Sequence, residues 1–131
     1  MEENSRHQLL TRMNDGTLEI VITGQLTKKG IDELHAEVIA IIKEKKPQSL
    51  MADIRSAKGP KDVTDAYFRA RSIPSDVKIL PAAIVGQTED EEYSSFYEAT
   101  AANVGQSMKF FTDIETARAW LKSKHSTKKI K

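Results

Sequence analysis

Ser49-Leu50-Met51-Ala52-Asp53-Ile54-Arg55-Ser56-Ala57-Lys58-Gly59-Pro60-Lys61-Asp62-Val63-Thr64-Asp65-Ala66-Tyr67-Phe68-Arg69-Ala70-Arg71 reads as a short buried strand, a basic glycine–proline loop and the start of an amphipathic helix. Leu50, Ala52 and Ile54 alternate with Met51 and Asp53, which is the period of a pleated strand. Gly59-Pro60 opens the helix, because the missing N–H of proline costs nothing at the first helical position. Val63, Ala66, Tyr67 and Ala70 supply its apolar stripe, and residues 72–75 close it around Pro74.

Upstream, Arg6 to Met13 alternates weakly and Thr17 to Thr23 clearly, with Leu18, Ile20 and Ile22 on one face. Asn14-Asp15-Gly16 between them tolerates positive φ, so the two runs predict an N-terminal hairpin. Thr27 can cap a helix reaching about Lys46, with Ile31, Leu34, Val38, Ile41 and Ile42 at helical spacing. Pro47 stops it.

Downstream, Val77 to Gly86 is the most apolar strand candidate, and Pro81 argues for a bulge or a start at Ala82. Thr88-Glu89-Asp90-Glu91 matches a capping box. It opens a helix that presents Tyr93, Phe96, Tyr97, Thr100, Ala101 and Val104, with Gly105 as its stop. Ser107 to Phe111 is a last strand. Thr112-Asp113-Ile114-Glu115 is a second capping box, before a helix packing Ile114, Ala117, Trp120 and Leu121 inward. The order β-β-α-β-α-β-α-β-α predicts a single α/β domain over residues 1–124. Its mixed, mostly parallel sheet of about five strands is flanked by about four helices, and a basic tail follows at 125–131.

The composition narrows the function. The 131 residues contain no cysteine, which excludes disulfides, thiolate metal sites and a cysteine nucleophile. Net charge is +1, too small a field to draw in nucleic acid. No apolar run approaches membrane-spanning length and the first residues lack a signal-peptide core, so a cytoplasmic location is expected. His7, His35 and His125 have no ligand spacing, and the acids at 89–92 suit a helix's first turn. No metal and no cofactor is expected. Ser56, Ser94, Ser95 and Thr64 have no nucleophile-elbow sequence around them, and no phosphate-loop pattern is present.

Two stretches carry a resemblance. Phe110-Phe111-Thr112-Asp113-Ile114-Glu115-Thr116-Ala117-Arg118-Ala119-Trp120-Leu121 and Gly24-Gln25-Leu26-Thr27, with the order of elements, resemble the SpoIIAA-like family of STAS-type fold. The resemblance implies a regulatory, protein-binding module rather than an enzyme. Its anti-anti-sigma branch carries a phosphorylated serine in Asp-Ser-Ser-Gly at the start of the second helix. This chain reads Asp62-Val63-Thr64-Asp65 there, with a hydroxyl one position late at Thr64.

One constellation remains from the residues themselves. Arg55, Ser56, Lys58, Gly59, Lys61, Asp62 and Thr64 surround the loop after the central strand. Gly86, Gln87 and Thr88 are expected at the same sheet edge, where helix N-termini offer N–H groups to ligands. An anionic or protein partner is expected to dock there. An alternative is a carrier of a small apolar or anionic ligand, in a cleft between the second and third helices lined by Met51, Tyr67, Phe68, Tyr93, Phe96 and Tyr97. Asp53 and Asp62 are the one acid pair to inspect for catalysis. The weakly patterned first strand leaves a sheet edge that a homodimer could use.

Overall fold

A computed structural model describes residues 6–59, 73–103 and 105–129. Strands β1 (Arg6–Asn14) and β2 (Thr17–Gln25) form the expected hairpin. Asp15 and Gly16 both take positive φ, 55° and 86°, the two-residue turn whose twist matches the strands it joins. Helix α1 (Lys28–Lys45) begins where the Thr27 hydroxyl accepts from the Gly30 amide at 3.0 Å. It ends on Lys46 in the left-handed region, followed by Pro47. β3 (Ser49–Lys58), the single helical turn α2 (Ser75–Lys78) and β4 (Ala82–Val85) follow. A 3-10 turn at Thr88–Asp90 leads into α3 (Glu91–Asn103), then β5 (Met108–Phe111) and α4 (Ile114–Lys129).

The sheet order is β1-β2-β3-β4-β5. The β1–β2 pair is antiparallel and the other three pairs are parallel, so β2 to β5 all end at one edge. Side chains alternate between the two faces. Leu18, Ile20, Ile22 and Leu50 pack against Leu34 and Ile42 of α1. Met51, Ala83, Val85 and Phe111 pack on the other face against Ala117 and Leu121 of α4.

Several local expectations shift. Val77 is buried in the turn of α2 rather than in a strand, while β4 begins at Ala82, the start that Pro81 argued for. Both expected helix caps move by one residue, the first as a reciprocal box and the second as a simple cap. In the first, the Gln87 amide donates to Asp90 Oδ2 at 3.0 Å. In the second, Asp113 Oδ2 accepts from the Thr116 amide and hydroxyl, both at 2.8 Å. β3 is bulged: Val21 pairs with Asp53 and Thr23 with Ser56, so β3 spends one residue more than β2. Beyond the bulge Ala57, not Ser56, joins Ile54 on the α1 face. The second helix expected after Gly59 lies outside the described residues.

The sheet's two borders differ. Ala82 and Gly86 of the β4 side donate to Ser107 and Phe111 carbonyls, so the intervening Phe110 points its amide outward. Glu98 of α3 takes that amide at 2.7 Å and shields the β5 border. The outer side of β1 pairs with no strand among the described residues.

Candidate functional site

The parallel strands bring their carboxyl ends together, and the turns leaving them form a polar rim. Asp53, Arg55, Ser56, Gly86, Gln87, Thr88 and Thr112 line an open depression of about 500 Å³ there. Five of these residues, Arg55, Ser56, Gly86, Gln87 and Thr88, are ones the sequence placed at this edge. Asp53, which the sequence singled out with Asp62 for inspection, lines it too, and Thr112 is an addition, because β5 ends beside β4. Lys61, Asp62 and Thr64 lie outside the described residues.

The expected cluster of free cations does not form among the described residues. Arg55 turns back along its own strand, with Nε 3.0 Å from Asp53 Oδ1 and Nη2 2.9 Å from Oδ2. The Arg55 amide also donates to Oδ1, at 3.1 Å. Burial works against the charge of Asp53, but these three bonds and the guanidinium's charge outweigh it and hold the carboxyl below its usual range. A carboxylate depressed in this way is a poor general acid or base near neutrality. Asp113 adds a second negative charge: the Thr116 amide and hydroxyl hold its carboxyl low, with Arg55 nearby. Gln87 ties the rim together, its Nε2 donating to the Arg55 carbonyl at 2.8 Å. The remaining surface offers hydroxyls from Ser56, Thr88 and Thr112 beside a half-exposed, neutralised arginine.

Lys58 and Gly59 belong to a different place. Both line an apolar cleft of about 290 Å³ beneath α1. Its floor is Ile20, Ile22, Ala52, Ile54, Ala57 and Ile84 of the sheet. One wall is Leu34, His35 and Val38 of α1, and the other is Tyr93, Ser94 and Tyr97 of α3. Phe110 and Met108 close the β5 end. Gly59 sits close to the chain entering α1: a Cβ there would lie 3.1 Å from both Leu26 Cβ and its carbonyl oxygen.

Of the aromatic and methionine residues expected to line a cleft, Tyr93 and Tyr97 do so. Met51 does not; it is 1% exposed in the core under α4, because it alternates with Ala52 and Leu50. Phe96 is 40% exposed, since it stands two positions, about 200° of helix, from the inward Ser94. Tyr67 and Phe68 lie outside the described residues. The contribution of α1 to the cleft went unforeseen, although its stripe of Leu34 and Val38 is the signal that carries it.

Glu19 is the other residue the sequence did not single out. It is 4% exposed on the α4 face. Arg118 donates to it through Nε and Nη2 at 3.0 and 3.1 Å, Arg12 through Nε at 3.0 Å and Asn14 at 3.0 Å. Burial opposes its charge, and the bonds from Arg118, Asn14 and Arg12 overcome that and lower its pKa. The cluster ties the hairpin to the last helix.

Among the described residues no group of three or more histidine, aspartate or glutamate side chains could hold a metal, and no helix is long and apolar enough to cross a membrane. A family model described as SpoIIAA-like matches residues 17–122. The chain belongs to the SpoIIAA-like family. Two solved structures resemble this SpoIIAA-like chain along most of its length. One is an uncharacterised protein of the DUF3478 family with a SpoIIAA-like fold from Shewanella loihica, at 20% identity and TM-score 0.59, covering 92% of this chain and 98% of that one. The other is an anti-sigma factor antagonist from Mycobacterium paratuberculosis, at 11% identity and TM-score 0.64, covering 93% and 99%. At these identities the likeness is one of fold. No curated protein matches the chain.

Proposed function

We propose that this SpoIIAA-like chain is a non-catalytic regulatory module that docks a protein partner on the polar rim. The observation that carries this reading is the convergence of Arg55, Ser56, Gly86, Gln87 and Thr88, with Thr112, on one open depression. The Asp53–Arg55 pair changes the expected chemistry of the partner. With its charge answered internally, the rim favours hydrogen-bonding recognition over the capture of an anion. Arginine held by a neighbour is also preorganised, so less side-chain entropy is lost on docking. Recovering partners from cells with wild type, Thr88→Arg and Lys58→Ala tests the reading. A partner should be lost with Thr88→Arg and retained with Lys58→Ala. A partner retained equally by all three does not use the rim.

A second reading, carriage of a small apolar ligand, is favoured by the cleft. The cleft of about 290 Å³ is lined mostly by apolar side chains of the sheet, α1 and α3. Native mass spectrometry of protein purified without denaturant checks this, with a copurified mass expected on the wild type and absent from a cleft-filling Ala52→Leu variant.

A further inference from the structure

We infer that β1 is a self-pairing edge: two copies of this chain join antiparallel, β1 to β1, in the register that sets Leu10 opposite Leu10 of the second copy.

The backbone decides which groups are available. The Gly16 carbonyl accepts from the Gln48 amide and the Leu26 amide donates to the Lys58 carbonyl, so the even positions of β2 serve β3. Its odd positions serve β1, where they face Asn14, Arg12, Leu10 and Gln8. His7, Leu9, Thr11 and Met13 are left with N–H and C=O groups directed away from the sheet. An edge can be blunted by proline, lysine or a bulge. β1 carries neither residue and pairs one for one with β2. Every position from Leu10 to Asn14 is exposed. The β5 border, by contrast, has Glu98 on its outward Phe110 amide.

The side chains decide the occupant and the register. Odd positions must meet odd positions for ladder bonds to form, so a two-fold pairing slides only in steps of two residues. Centred on Leu10, it sets His7 opposite Met13 and Leu9 opposite Thr11 as hydrogen-bonded pairs. Leu10 then meets its own copy at a non-hydrogen-bonded position, where facing side chains lie closest. Leu10 is 61% exposed and Met13 44%, and this register brings a partner over both. A step one way sets Arg6 opposite Arg12, a like-charge pair, and a step the other way sets Leu10 against Arg12. In the centred register Arg12 faces Gln8, and its own charge is answered by Glu19 at 3.0 Å. A second copy therefore matches this edge in charge as well as in backbone. The axis passes through the sheet, so the two polar rims lie at opposite ends of the pair.

Sedimentation equilibrium of the full chain tests the inference. Wild type should show a reversible monomer–dimer equilibrium. Leu10→Lys and Leu10→Glu each oppose like charges and should each raise the dissociation constant about tenfold or more. An equimolar mixture of the two should recover dimer. Amide exchange at Leu9 and Thr11 should slow as wild-type concentration rises, while Leu10 and Arg12, already bonded to β2, stay constant. That measurement uses wild type alone and stands whatever the variants do to folding. A wild type that remains monomeric up to about 1 mM overturns the inference, as does a dimer that both variants leave intact. A dimer strengthened by Leu10→Glu, through Arg12, overturns the register and with it the Leu10 contact.

Discussion

Arg118 reaches 99 positions back along the chain to grip both carboxylate oxygens of Glu19. Glu19 has a lowered pKa in the folded protein, so its contribution is complete above its unfolded value of about 4.3 and fades as pH falls through the folded value. Arg118→Ala leaves burial opposed only by Arg12 and Asn14. The folded pKa of Glu19 should then rise, and acid destabilisation should begin at a higher pH than in wild type. Because Arg118 is partly solvated, the loss at neutral pH should be about 1–3 kcal/mol. Urea unfolding followed from about pH 3 to 7, with carbon-detected titration of Glu19, measures both effects.

Gly86 is held by space. A Cβ there would lie 2.8 Å from Phe110 Cε1 and 3.2 Å from Asp90 Oδ2. Gly86→Ala should cost about 1–3 kcal/mol, since a packed ring must move to admit it. Adding Phe110→Leu should recover part of that loss if the ring is the obstacle. Thermal unfolding of the two single variants and the double variant gives the coupling.

Lys46 closes α1 at φ 51°, a conformation that crowds any Cβ. Lys46→Gly should raise stability by about 0.5–1 kcal/mol, in contrast to glycine placed inside a helix. A fall in the urea midpoint would contradict it.

Glu98 should matter through its acceptor oxygen. Glu98→Ala strands the outward amide of Phe110 and should cost about 1–3 kcal/mol, whereas Glu98→Gln keeps a carbonyl oxygen for it. Hydrogen exchange at the Phe110 amide should quicken in the alanine variant and stay near wild type with glutamine.

Much of this fold could be read residue by residue, because its pieces follow simple periods. Leu18, Ile20 and Ile22 alternate as a half-buried strand must, and Leu34, Val38 and Ile42 recur as a helix stripe must. The misreadings arise where a period is interrupted. Counting by twos through β3 fails at the bulge between Asp53 and Ser56. That one extra residue puts Ala57, rather than Ser56, on the α1 face with Ile54. The caps at Gln87 and Asp113 differ from the expected boxes by one position because hydrogen-bond geometry, not residue preference, fixes the first turn. The Asp53–Arg55 pair was hidden for another reason: residues two apart in a strand share a face, but whether they join depends on what else that face offers.

The grip of Arg118 on Glu19 has a consequence for biosynthesis. A chain emerging N-terminus first presents the hairpin, with its acid destined for burial, long before the matching guanidinium leaves the ribosome. Until then the hairpin must keep that acid wet, so α4 acts as a latch that closes only once Arg118 has been made.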